Sequence, residues 1–196
     1  PGPWIEPRKV HAGPDFVVMI ILEDVLKFYR VDSMTRVVLN RVSINLQSGR
    51  NYALLGVNGA GKSTWIRLIA GVELPNAGKV RRNVRMSWPI GFSGGLHPQL
   101  SARDNSKLVA RIYGEDVDRV IDYVEDFAEI GAYFDAPISA YSAGMSARVA
   151  FGLSMAINFD CYLVDELMTV GDGSFRDRSA AEFHRRRESS DIIMAS

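Results

Sequence analysis

Two short stretches of this chain carry residue types and spacings that can do chemistry. In "GVNGAGKST", residues 56–64, Gly56, Gly61, Lys62 and Ser63 follow the spacing G-x-x-x-x-G-K-[ST]. Glycines at those positions let the backbone wrap closely, so that successive N–H groups face phosphate oxygens, and the helix that follows adds the positive end of its dipole. The lysine of such a loop reaches the β- and γ-phosphates, and the hydroxyl after it ligates Mg2+. Asn58, Gly59 and Thr64 complete the loop residues expected to touch a bound nucleotide. The second stretch is "CYLVDE", 161–166, an apolar run that ends in two carboxylates. Ligands of α/β sheets bind beyond the carboxyl ends of the strands. Asp165 is placed there to hold Mg2+ through water. Glu166, one peptide further, is the candidate general base that orients or deprotonates an attacking water.

The elements that must position these residues are legible in the hydrophobic pattern. Residues 19–30 and 37–46 alternate as strands, with "DSMT" supplying a turn between them. A short buried strand, 51–56, runs into the glycine loop, and a helix over 62–71 ends at Gly71. A turn leads into a further strand, and 84–91 forms another. The pattern becomes helical from 101 to 130 and again from 142 to 157, where Ser142 opens the helix. Strand 161–166, helix 173–188 and strand 191–196 follow. The expected fold is therefore α/β, a mostly parallel core sheet covered on both faces, with helical residues from about 95 to 156 forming a subdomain beside it. Residues 1–18 hold four prolines and read as an irregular extension, with Met19 a plausible natural start.

Composition narrows the function classes. The 196 residues suit one domain, and 23 basic residues balance 23 acidic ones. A protein that grips nucleic acid through phosphates carries a basic excess, so nucleic acid is not an expected partner. The clusters Arg81, Arg82, Arg85 and Arg185, Arg186, Arg187 read as solvated faces. A single cysteine, Cys161, precludes an internal disulfide and suits a reducing, intracellular setting. The longest apolar run, "FVVMIIL", is far too short to span a bilayer. Any work at a membrane therefore requires another chain. His11, His97 and His184 are scattered without metal-ligand spacing.

Between the glycine loop and the acidic strand lies "YSAGM", 141–145. It resembles the LSGGQ signature of the ABC-type ATPases, and with that motif the resemblance extends over 19–196. It implies a P-loop NTPase domain with an antiparallel β subdomain and a helical signature subdomain, using ATP and Mg2+. Ser142 and Gly144 are then expected to meet the γ-phosphate of ATP held by a second subunit, which makes the active form a homodimer. Tyr29 stands where the family stacks an aromatic on adenine, and Asp172 matches the aspartate of its D-loop. Tyr141, Ala143 and Met145 depart from the motif. The family's Q-loop glutamine has no counterpart: Gln99 falls too late, and Trp88 or Phe92 takes the place. The family's switch histidine follows a strand like "IIMAS", where this sequence stops. The reading is of a sequence cut short there, slow or inactive in hydrolysis as given.

"SWPIGFSGGLH", "RIYG", "YSAGM" and "VDELMTVGD" together resemble a narrower group, the ATPase subunits of bacterial capsular polysaccharide exporters, related to those for O-antigen and teichoic acid. That resemblance implies a multi-pass permease as partner and a peripheral position on the cytoplasmic face of the inner membrane. Trp88, Pro89, Phe92 and Leu96 are read either as the surface touching the permease or as packing between sheet and helices. Two alternatives stay open: a non-transport ABC ATPase acting on DNA or ribosomes, and a nucleotide-gated switch acting on a soluble partner.

Overall fold

The period-two alternation near the start of the chain builds two long strands, β1 (Val18–Val31) and β2 (Met34–Gln47), paired antiparallel. β4 (Ala77–Arg82) lies on the other side of β1. The computed structural model describes residues 17–31, 34–90, 95–165 and 173–195. The β1–β2 ladder shifts register between Leu22 and Val25, beside Asp24 and Arg41, which sit at φ of 49° and 54°. From Phe28 onward the register brings Tyr29 opposite Arg36.

A second, parallel sheet has the order β3 (Tyr52–Leu54), β7 (Asp191–Ala195), β6 (Cys161–Asp165), β5 (Met86–Ile90). Among the described residues β5 pairs on one side only, which is where a strand tolerates a proline such as Pro89. The β5–β6 ladder slips between Met86 and Pro89, and there the Ser87 hydroxyl accepts the Leu163 N–H at 2.9 Å.

Successive residues of β6 alternate between two cores. Cys161 and Leu163 join α1 (Lys62–Ala70) and the antiparallel sheet; Tyr162 and Val164 join α2 (Ala102–Tyr113), α3 (Val117–Ala128) and α4 (Ala143–Ala156). Phe175 of α5 (Gly173–Arg187) packs into that second core. The first helix thus lies between the two sheets, with Ile66, Leu68 and Ile69 buried. The architecture is α/β: a parallel sheet covered on both faces, an antiparallel sheet and a group of helices.

Local chemistry starts and stops the helices. Ser101, Asp116 and Ser142 cap α2, α3 and α4, their side chains accepting the N–H of Asp104, Arg119 and Met145. The C-terminal carbonyls are taken by distant arginines. Arg82 donates to Leu68 O and Ile69 O of α1, and Arg85 to Tyr113 O of α2. Arg178 donates to Phe127 O of α3, and Arg186 to Met155 O of α4. Arg82, Arg85 and Arg186 therefore correct the expectation of solvated basic faces. Their stems lie against the fold and their guanidinium groups satisfy helix ends, whereas Arg81, Arg185 and Arg187 are exposed.

Candidate functional site

β3 delivers the chain to Gly56, and α1 begins at Lys62, so residues 56–61 form a loop at the carboxyl end of a parallel strand. Gly59 and Gly61 hold φ of 79° and 98°. A Cβ on Gly61 would lie 2.2 Å from Val38 Cγ1 on β2, so this position has neither the backbone nor the space for a side chain. The loop closes on itself through Ala60 N–H to Val57 O at 3.1 Å, and Trp65 N–H to Gly61 O at 3.0 Å starts the helix. Lys62 Nζ lies over the loop, donating to Gly56 O at 2.7 Å and to Val57 O at 3.3 Å.

A cavity of about 280 Å³ opens above this loop. Asn58, Gly59, Gly61, Lys62, Ser63 and Thr64 line its floor, while Tyr29 from β1 and Asp165 from the end of β6 stand at its sides. Gly56 lies just beneath, at the lysine's amine. Most of the residues singled out in the sequence for nucleotide contact are thus in one place. Arg36 and Val38 also line the cavity, and the sequence reading missed both. They share one face of β2, and Arg36 donates to Gly59 O. No local motif marks them, because their place depends on the β1–β2 register.

Ser63 Oγ donates to Asp165 Oδ1 at 3.0 Å across 102 positions of sequence. A hydroxyl and a carboxylate oxygen side by side at a helix N-terminus are hard ligands of the kind Mg2+ takes. Among the described residues no group of three or more His, Cys, Asp or Glu could hold a metal. Mg2+ is commonly held by one or two protein oxygens and completed by water and substrate phosphate. The residues fit Mg2+ and a polyphosphate, and Ser63 and Asp165 are the side chains that would hold the ion.

Ser142 and Gly144 are not among the residues lining this cavity. Ser142 caps α4, and a Cβ on Gly144 would meet only Ser142 Oγ, at an ordinary 3.9 Å, so nothing within the described chain requires glycine there. Tyr141, the departure from leucine, donates its hydroxyl to Tyr133 O at 2.6 Å. Glu166 and Asp172 lie outside the described residues, as do Phe92, residues 1–16 and Ser196.

Of the apolar patch read near the Q-loop position, Trp88 and Leu96 are half-buried. Pro89 is buried in β5. Trp88 packs edge-on to Phe159, with ring centroids 5.4 Å apart, and donates its indole N–H to Ser154 Oγ of α4 at 2.8 Å. Trp88 and Leu96 border a second, apolar cavity of about 210 Å³ together with the exposed Ile112 of α2, and Leu108, one turn earlier on that helix, is exposed as well.

A family model described as ABC transporter matches residues 39–169. The chain is 44% identical over 180 residues to the polysialic acid transport ATP-binding protein KpsT of Escherichia coli, covering 91% of this chain and 80% of that protein. It is 44% identical to the capsule polysaccharide export ATP-binding protein CtrD of Neisseria meningitidis serogroup B, covering 91% and 82%. Among solved structures, a dimeric ATP-binding cassette in a post-hydrolysis state bound to ADP and Pi superposes with a TM-score of 0.73 at 20% identity, covering 91% of this chain and 88% of that one.

Proposed function

The chain belongs to the ABC transporter family, and from that premise we propose that it is the ATP-hydrolysing subunit of an exporter for a cell-surface polysaccharide, of the capsular kind. The observation that carries the nucleotide chemistry is the meeting of Ser63 and Asp165 beside a glycine cradle that admits no side chain at position 61. The cargo is proposed from the names of the relatives, which cover nine-tenths of the chain. Bound Mg2+ would neutralise charge on the phosphates.

The chain's own residues divide the remaining work. Lys62 and the loop N–H groups hold the β- and γ-phosphates, and Tyr29 offers its ring to the base. Glu166 positions and deprotonates the attacking water. Ser142 and Gly144 reach the γ-phosphate held by a second copy, so ATP closes a homodimer by binding the closed state more tightly than the open one. Among the described residues no helix is long and apolar enough to cross a membrane. By analogy with the export subunits it resembles, a separate permease is proposed to supply the spanning helices, with this subunit at the cytoplasmic face of the inner membrane. Its contact is assigned to the α2 face carrying Leu108 and Ile112, continuous with the apolar cavity beneath.

The test is affinity purification of the full-length protein from detergent-solubilised native membranes, with mass spectrometry of what accompanies it. A multi-pass membrane protein with no phosphate loop of its own is the expected companion. Recovery of ribosomal or DNA-bound partners, or of nothing from the membrane, overturns the exporter reading.

A further inference from the structure

We propose that Glu73, just past the end of α1, is a positioning residue that fixes Tyr29 as the platform for the nucleobase. The inference rests on the reading of Tyr29 given above. Tyr29 donates its hydroxyl to Glu73 Oε1 at 2.6 Å, and the same oxygen atom of Tyr29 lies 3.2 Å from Thr64 Oγ1. A phenol has one proton and an ionised carboxylate only accepts, so Thr64 is the donor in the second bond. Two cations hold the carboxylate in turn: Lys27 Nζ at 2.8 Å from Oε1 and Arg67 Nε at 3.2 Å from Oε2. Lys27 is only 8% exposed and also donates to Leu74 O at 2.8 Å. Tyr29, Lys27 and Glu73 are therefore each held at a second point.

The clasp determines how the tyrosine can be used. Lys27 Nζ lies 5.1 Å from the centroid of the Tyr29 ring, so a cation occupies one face. The other face is left for a planar base. The phenol oxygen is tied to Glu73 and to Thr64, whose neighbour Ser63 belongs to the phosphate loop, so base platform and phosphate cradle are set at a fixed distance. A tethered ring loses no rotamer freedom on binding, and freeing it is expected to weaken ATP binding about 3- to 10-fold.

The experiment measures dissociation constants of the full chain for Mg-ATP and for inorganic tripolyphosphate, which has no base. The variants are Glu73→Gln, Tyr29→Phe, the pair together, and Tyr29→Ala. Tyr29→Phe removes the tether while leaving the Lys27–Glu73–Arg67 ions intact, so it reports even where Glu73→Gln folds poorly. Tyr29→Phe and Glu73→Gln are each expected to lose that 3- to 10-fold for ATP and nothing for tripolyphosphate. Glu73→Gln is expected to add no further loss in the Tyr29→Phe background. Unchanged ATP affinity in Tyr29→Phe, or equal losses for both ligands, overturns the proposal. Unchanged ATP affinity in Tyr29→Ala instead overturns the reading of Tyr29 as the base platform.

Discussion

Gly61→Ala tests the steric argument for the phosphate loop. The position holds φ of 98°, and forcing an L-residue into such backbone costs about 1–3 kcal/mol. The added Cβ would meet Val38 Cγ1 at 2.2 Å, and relieving an overlap of that kind costs about 1–3 kcal/mol more. The single variant should therefore lose about 2–6 kcal/mol, divided between stability and nucleotide affinity. The two contributions separate cleanly, because after Cγ1 the nearest Val38 atoms are Cβ at 3.5 Å and Cγ2 at 3.9 Å, both ordinary contacts. In a Val38→Ala background the overlap disappears and only the backbone strain of about 1–3 kcal/mol remains. Urea denaturation and Mg-ATP titration of the four proteins in this cycle give the coupling directly. At about 2–4 °C per kcal/mol for a chain of this size, the rescue is readable as a melting temperature as well. Strict additivity of the two substitutions, or wild-type behaviour of Gly61→Ala, would refute the reasoning.

Three further outcomes are expected. Asp165→Asn keeps the shape of the carboxylate and removes its charge, so the Mg2+ concentration needed for half-maximal ATP binding should rise about 10- to 100-fold, read by titration at fixed nucleotide. Arg82→Met leaves Leu68 O and Ile69 O without a cationic donor and should cost about 1.5–3 kcal/mol of stability in a denaturation curve, with the secondary structure retained by circular dichroism. Burial alone would raise the Glu73 carboxyl, but hydrogen bonds from Lys27, Tyr29 and Arg67 and the charge of Lys27 outweigh it and hold the group below the usual carboxylate range. A carboxyl lowered in the folded state adds stability above its unfolded pKa and loses it as pH falls through the folded one. The stability gap between wild type and Glu73→Gln should therefore be full near neutrality and close on acidification, beginning where a free glutamate titrates and ending below it.

What the sequence made legible was local. Gly61 and Gly71 bracket α1 as expected, Ser142 caps α4, and the apolar run 161–164 carries Asp165 to the open end of its strand. Each of these is decided by residues within a few positions of one another. What stayed hidden depends on partners far along the chain. Arg36 and Val38 reach the cavity because of a strand register that passes four irregularities, and one residue of slip would turn both away. The arginine clusters looked like ordinary solvated charge because the carbonyls they satisfy belong to other elements. Trp88 and Pro89 are apolar whether they face a partner or a core. Only the sheet order among the described residues, with α4 against the indole, shows Pro89 buried and Trp88 half-buried beside an apolar cavity.

The bond between Trp88 and Ser154 sits near one end of α4, and Ser142 stands at the other. From Ser142 to Ser154 the helix rises about 18 Å. Considered as a rigid rod pivoting at Ser154, it turns a tilt of about 5° into a sweep of about 1.5 Å at Ser142, over that length. That is close to the difference between a hydrogen bond made and one lost. The indole of Trp88, in the middle of β5, thus tethers one end of the rod, and Ser142, proposed above to meet the nucleotide of a second copy, stands at the other. Any tilt of the helix about that tether is therefore felt most at its serine-capped end.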